Sequence, residues 1–247
     1  MNDTTARPAP HNPTVVLVHG AFADSSSWNG VIEHLRQAGF PVLAPANPLR
    51  GLAGDAAYVA SVVKSVEGPV VLAGHSYGGA VISQAADGDP KVKALVYVAA
   101  FIPEKGESAL ELSNAYPGST LGRNLHAVPF PLADGGTRTD LYIKTDSFHD
   151  QFAADVPQSV TDLMAATQRP VAAAALEETA TAAAWRSIPS WSLVATADRN
   201  IPPAAQRFMS ERAKAHTVEL DASHAVPVSQ PEAVARIIRQ AAESATR

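Results

Sequence analysis

The sequence predicts a three-layer α/β fold in which a mainly parallel sheet of about six strands is covered by helices on both sides and carries an inserted helical cap. Three observations predict it. Short apolar runs bounded by turn residues alternate with helix-like segments. The runs are apolar along their whole length, as strands buried on both faces of a parallel sheet must be. One of them ends in Gly74-His75-Ser76-Tyr77-Gly78, a strand-to-helix turn built around a serine.

In chain order, Thr14-Val15-Val16-Leu17-Val18 is a strand ending at His19-Gly20. A helix follows over about Ser27 to Ala38, with Ser26 or Ser27 as N-cap, Gly39 past its end and an inward face of Trp28, Val31, Ile32 and Leu35. The strand Pro41-Val42-Leu43-Ala44 leads into a Pro- and Gly-rich loop through Gly54. The next helix, about Asp55 to Val66, turns Tyr58, Val59, Val62, Val63 and Val66 inward. Pro69-Val70-Val71-Leu72-Ala73 is the strand before the serine turn, and a helix starts at Gly79. Ala94 to Ala100 and Ser190 to Thr196 are two further strands. Helix Pro203 to Ala213, strand Thr217 to Leu220 and helix Pro231 to Ala242 complete the pattern.

Between about Pro103 and Ser187 the alternation breaks. Turn-rich pieces such as Pro129-Phe130-Pro131 and Asp134-Gly135-Gly136 stand beside an alanine-rich helical segment, Val171 to Trp185. So long a stretch is no simple connection, and we read it as the cap, with a small hairpin near Thr139 to Lys144. The expected organisation is a disordered tail over 1–13, a core of 14–102 and 188–247, and a cap of 103–187.

The 247 residues carry 46% hydrophobic and 17% charged residues, an ordinary globular balance for one large domain. A net charge of −5 provides no basic surface for nucleic acid or an anionic membrane. No apolar stretch reaches the length of about eighteen residues that marks a membrane span. The first residues lack the apolar region of a secretory signal, so a cytoplasmic location is the expectation. Without cysteine there is no thiol nucleophile, thiolate zinc site or disulfide.

A serine hydroxyl is a poor nucleophile at neutral pH and needs a base in reach, itself oriented by a carboxylate. On a sheet of this kind the chain order is Ser, Asp or Glu, then His. His224, in Asp221-Ala222-Ser223-His224, follows the last strand and is the expected base. His11 lies in the tail, His34 and His216 read as helix-face and strand-start residues, and His75 as packing within the turn. His126 and His149 are cap residues that could line a pocket. Asp198, just past the strand at Ser190, is the expected acid, ahead of Asp221. The oxyanion hole is assigned to the backbone N–H groups of Tyr77 and of Ala21, with Phe22 as the alternative to Ala21. Each of these residues falls at the carboxyl end of a strand, where ligands bind such sheets.

These residues resemble the α/β-hydrolase superfamily over nearly the whole chain, and within it the small six-stranded branch of plant methylesterases and hydroxynitrile lyases with their bacterial esterase relatives. The shared pieces are Val16-Leu17-Val18-His19-Gly20-Ala21, Trp28, Gly74 to Gly79, Asp198 through Ile201-Pro202, and Ser223-His224. The resemblance implies a serine hydrolase that cleaves a small or medium hydrophobic carboxylic ester through an acyl-enzyme, with no metal or organic cofactor. The similar lyases carry threonine after the first strand and lysine after the catalytic histidine; here those places hold Gly20 and Ala225, which favours the esterase. Perhydrolase activity, and a small-ligand receptor with slow or no turnover, are the alternatives. The cap offers Leu121, Phe130, Leu132, Tyr142, Phe148 and Trp185 as pocket walls, and with Phe22 we single out Tyr142, Phe148 and Trp185 as substrate contacts. The expected partner is the small-molecule ester, and the chain is expected to be a monomer or homodimer.

Overall fold

The computed structural model describes residues 12–245. Six parallel strands form the central sheet: β1 (Thr14–Val18), β2 (Val42–Leu43), β3 (Val70–His75), β4 (Val92–Val98), β8 (Ser190–Ala195) and β9 (His216–Leu220), in the order β2-β1-β3-β4-β8-β9. Alternate side chains feed two separate apolar layers, because strand side chains point to opposite faces in turn. Val15, Leu17, Val71, Ala73 and Val96 pack with α1 (Asn29–Gln37) and α10 (Pro231–Ala245). Val16, Val18, Leu72, Leu95 and Tyr97 pack with α2 (Leu52–Ser65), α3 (Tyr77–Ala85) and α8 (Pro203–Arg212). Among the described residues no helix is long and apolar enough to cross a membrane.

Several local expectations shift. The first helical segment opens with a 3-10 turn, Ser25–Trp28, whose N-cap is Asp24 rather than Ser26 or Ser27: its carboxylate accepts from the Ser26 N–H at 2.7 Å. Helix α2 starts at Leu52, earlier than Asp55, and turns Leu52, Ala56, Val59 and Val63 inward. Tyr58 therefore faces solvent, 41% exposed. Strand β9 is the sheet edge and is largely exposed, not buried on both faces. Of the expected tail, residues 1–11 lie outside the described residues, while the Asn12 amide donates to the Gly39 carbonyl at 3.1 Å.

Between β4 and β8 the chain leaves the sheet and builds a second layer over the strand ends. It contains α4 (Ala109–Asn114), β5 (Leu125–Pro131), β6 (Thr137–Ile143), α5 (Phe148–Phe152), α6 (Gln158–Thr167), β7 (Val171–Ala172) and α7 (Ala173–Glu177). The layer is mixed rather than purely helical: β5, β6 and β7 form an antiparallel sheet of three strands, larger than the hairpin expected near Thr139. Of the alanine-rich run expected as one helix to Trp185, only Ala173–Glu177 is α-helical, followed by a 3-10 turn at Ala184–Arg186. Tertiary hydrogen bonds override alanine's helix propensity there. Ala172 N–H donates to the Leu49 carbonyl at 2.9 Å, and Ala180 exchanges backbone bonds with Gly106 and Glu107 at 2.8 Å each. Arg50 pins the small sheet to the core through Asp140 at 2.7 Å, the Pro170 carbonyl at 3.0 Å and the Phe130 ring. The short helix α9 (Val226–Ser229) sits just before α10.

The turn from β3 into α3 brings Gly78 against β1 so closely that an added Cβ would lie 2.3 Å from the Val18 carbonyl oxygen. Overpacking against backbone has no relief through side-chain movement. Gly78→Ala should therefore destabilise the fold by about 3 kcal/mol or more in urea unfolding. Gly54 in α2 is the contrast, with nothing within 4 Å of an added Cβ. Gly54→Ala should raise stability by about 0.5–1 kcal/mol.

Candidate active site

Ser76 stands at the end of β3 with φ 55° and ψ −125°, the left-handed side that non-glycine residues avoid. The conformation is held from three directions: Ser76 N–H donates to the Val98 carbonyl at 3.3 Å, and its own carbonyl accepts from Gly79 at 3.0 Å and Phe101 at 3.1 Å. Its side chain opens into a cavity of ≈ 150 Å³ between the strand ends and the cap, together with Ala21, Phe22 and Tyr77. The hydroxyl makes no hydrogen bond among the described residues; such contacts are often loose before a ligand is bound.

His224 and Asp198 form the most tightly held pair in the site. His224 Nδ1 lies 2.6 Å from Asp198 Oδ2, and both side chains are buried. The carboxylate also accepts from the Asn200 N–H (2.7 Å) and the Ile201 N–H (3.0 Å) on Oδ1, and from Gln206 Nε2 (2.8 Å) on Oδ2. Four donors satisfy a charge that burial would otherwise penalise heavily. Because the carboxylate accepts at Nδ1–H, the neutral His224 ring keeps Nε2 free as a base. Asp221 is exposed, and only its main-chain carbonyl takes part, accepting from Gln230.

The loop expected to supply an oxyanion donor follows β1. Tyr77 N–H, first in α3, has no intrahelical acceptor, and the Ala21 N–H has no acceptor among the described residues. Phe22 N–H is already committed to the Arg169 carbonyl at 2.9 Å, which removes it as the alternative donor. Gly20 must be glycine: an added Cβ would sit 2.6 Å from Ser76 Cβ and 2.8 Å from the His75 carbonyl oxygen. His19 holds this loop, with Nδ1 donating to the Gly20 carbonyl at 2.9 Å and Nε2 accepting from the Asn47 N–H at 2.9 Å. Only neutral imidazole can do both, and burial lowers its pKa accordingly.

His75 does more than pack. Its Nε2 donates to the main-chain carbonyl of His224 at 2.8 Å, so the serine turn grips the histidine loop directly. Burial, followed by the nearby His224, pushes the His75 pKa well below its ordinary value. The side chain of Tyr77 is likewise anchored, donating to Asp55 Oδ2 at 2.8 Å; burial raises the pKa of both groups.

The cap braces the loops of Asp198 and His224 from one short segment. Gln151, on α5, donates to the Arg199 carbonyl at 2.9 Å and to Asn200 Oδ1 at 2.6 Å, next to Asp198. Phe152 accepts from the Ala225 N–H at 3.0 Å and lays its ring edge-on to His224 at 5.1 Å. Asp155 accepts from both the N–H and the hydroxyl of Ser223.

Of the four aromatic residues expected at the substrate, the structure brings only Phe22 to the cavity. Tyr142 and His126 lie on a separate depression on the outer side of the cap sheet. Phe148 is fully buried and stacks on Phe152 at 5.1 Å. Trp185 is buried with its Nε1–H on the Pro103 carbonyl at 2.8 Å. His149 bonds Thr161 at 3.1 Å, and Phe130 packs under Arg50. Leu121 does line the cavity, joined by Phe101, Leu125, Leu141 and Leu176, while Leu132 does not. Phe101 and Asn200 were missed, although each sits just beyond a strand end. Gln206 was missed too; its signal is one turn into the helix that follows Asp198. Among the described residues no group of three or more His, Asp or Glu side chains is placed to hold a metal ion.

The model of the alpha/beta hydrolase family matches residues 15–237. The chain belongs to that family. A carbendazim hydrolyzing esterase from Nocardioides sp. (strain SG-4G) is 38% identical over 110 residues, which cover 39% of this chain and 46% of that protein. A pyrethroid hydrolase from Sphingobium wenxiniae is 28% identical over 260 residues, covering 93% of this chain and 88% of that one. The crystal structure of polyneuridine aldehyde esterase, 18% identical, superposes with a TM-score of 0.80 over 93% of this chain and 98% of its own. The fold is thus that of the methylesterase-like branch that the sequence motifs resemble.

Two measurements test the support around the pair. Gln206→Leu removes one donor to a buried carboxylate and should lower kcat about tenfold or more, with KM little changed. His75 and His19 are neutral when folded, with pKa values below the unfolded value of 6.5. Below that pH the unfolded chain binds more protons, so stability is full above 6.5 and falls as pH drops, by up to about 1.4 kcal/mol per pH unit for each imidazole. His75→Gln, which keeps a donor for the His224 carbonyl, should remove one imidazole's share of that slope in urea titrations between pH 7 and 5.

Proposed function

We propose that this member of the alpha/beta hydrolase family is a serine-dependent carboxylic ester hydrolase that works through an acyl-enzyme. The observation that carries the reading is the buried His224–Asp198 pair at 2.6 Å, tied through the His224 carbonyl to the turn that presents Ser76. Two relatives named for hydrolysing carbendazim and pyrethroids, one of them called an esterase, support an ester as the bond cleaved.

In this mechanism Ser76 Oγ attacks the ester carbonyl carbon while His224 Nε2 takes the hydroxyl proton. Asp198 holds the ring by Nδ1–H and stabilises the imidazolium that forms. The carbonyl oxygen gains negative charge and is met by the Ala21 and Tyr77 N–H groups, each worth about 3–4 kcal/mol in the transition state. His224 then protonates the departing alcohol oxygen, and the C–O bond breaks to leave the acyl-Ser76 ester. Water, deprotonated by His224, repeats the sequence and releases the carboxylic acid. Every proton is moved by His224, so the chemistry calls for no metal or organic cofactor.

Gly20 supports hydrolysis over the lyase reaction. A threonine in its place, as the similar lyases carry, would put Cβ 2.6 Å from Ser76 Cβ, and Ala225 offers no ammonium for a leaving anion.

Hydrolysis of p-nitrophenyl butyrate tests the reading. Wild type should turn it over, and Ser76→Ala should cut kcat by about a millionfold. Asp198→Asn should cost about 10⁴ in kcat while leaving thermal unfolding near that of wild type. Activity that survives in Ser76→Ala would remove the serine from the mechanism.

A further inference from the structure

The cavity beside Ser76 is apolar apart from a few side chains, and these divide by burial. Ser113 and Ser119 are half-buried, and Asn114 and Glu177 are exposed at its edge. Tyr77 is buried, but its hydroxyl is spent on Asp55. That leaves Asn200, 3% exposed, as the one buried polar side chain besides Ser76, among the described residues, that lines the cavity with a group unspent.

The orientation of its amide follows from chemistry. The Arg199 carbonyl can only accept, so the Gln151 atom 2.9 Å from it is the Nε2 donor. The same Nε2 lies 2.6 Å from the Asn200 side chain, which must offer its oxygen there. The other end of Gln151 agrees, since Oε1 accepts from Thr120 Oγ1 at 2.7 Å and Asn124 Nδ2 at 2.6 Å. With Oδ1 turned to Gln151, Asn200 Nδ2 has no acceptor among the described residues and keeps contact with open space rather than being sealed in protein. A buried amide with an unmet donor, locked in orientation by a second buried amide, is arranged for an acceptor brought by a ligand. No Lys, Arg or His lines the cavity, so an anionic group would find no counter-charge there.

We propose that Asn200 is a specificity-determining residue: its Nδ2–H₂ binds a second acceptor on the substrate, so that the preferred class is small neutral esters carrying an ether, carbonyl or ring-nitrogen acceptor on the part the cavity encloses. The inference rests on the ester-hydrolase reading. A site built to satisfy a buried donor discriminates against an analogue that leaves it unmet.

The test uses two matched ester pairs on the full chain. On the acyl side, p-nitrophenyl pentanoate is compared with p-nitrophenyl 3-methoxypropanoate. On the alcohol side, butyl acetate is compared with 2-methoxyethyl acetate, followed by titration of the released acid. With each rate normalised to alkaline hydrolysis, wild-type kcat/KM should favour the oxygen-bearing member of one pair by about 3- to 10-fold. Asn200→Leu should abolish that preference. Damage to the neighbouring Asp198 loop would instead lower both members of a pair equally, so the ratio separates binding from positioning. Wild type without preference in either pair, or Asn200→Leu with the preference intact, overturns the proposal alone, and the wild-type measurement stands even if the variant does not fold. Wild type that hydrolyses none of the four esters overturns the ester reading and the proposal with it.

Discussion

The backbone of Ser76 is the constraint on which the rest of the molecule depends. A non-glycine residue at φ 55° and ψ −125° costs about 1–3 kcal/mol and persists only where its surroundings over-determine it. Here the determinants are β4, whose Val98 carbonyl takes the serine N–H, and the chain leaving β4, whose Phe101 N–H returns a bond to the serine carbonyl. The turn also presses against β1 at Gly78 and against the loop after β1 at Gly20. Three neighbouring strands thus meet at one residue. The close approach at Gly20 and Gly78 leaves Ala21, Ser76 and Tyr77 lining one cavity.

The second half of the site depends on the cap. The segment from Gln151 to Asp155 contacts the loop of Asp198 on one side and the loop of His224 on the other. The buried carboxylate has its own four donors, but two of these come from the main chain of Asn200 and Ile201, in the loop that Gln151 holds. An insertion that covers the strand ends also supports the loops of Asp198 and His224, so loss of the cap would remove more than a cover. His75 completes the link by fastening the histidine loop to the serine turn.

What could be read from the sequence follows from the range of the interactions involved. Strands β1, β3, β4 and β8 are local apolar runs, and the serine turn imposes small residues at fixed offsets, so these elements and the placing of Ser76, Asp198 and His224 beyond strand ends are legible without partners. The cap is not, because its form is set between residues far apart. Ala172 is drawn into a strand by its pairing with Asp140 on β6, and Ala180 is held out of a helix by backbone bonds with Gly106 and Glu107. The choice of Tyr142, Phe148 and Trp185 as wall residues failed for a related reason. Aromatic character predicts burial but not which side of a layer is buried, and two of the three are core while the third faces outward. Position was the better guide: Phe101 and Asn200 both lie just past the carboxyl ends of strands, where a parallel sheet presents its ligand.

Asn200 joins the two parts of the molecule. Its main-chain N–H holds Asp198, its side-chain oxygen is held by the cap, and its side-chain amide faces the cavity. On the reading proposed above, selection of substrate and positioning of Asp198 would be coupled at this residue, and a substitution there would disturb both. Leu121, Leu141 and Leu176 line the same cavity from the cap. On that reading, the size and shape of the substrate would be met by those leucines, whereas its polar recognition would fall on a residue whose main chain also holds Asp198.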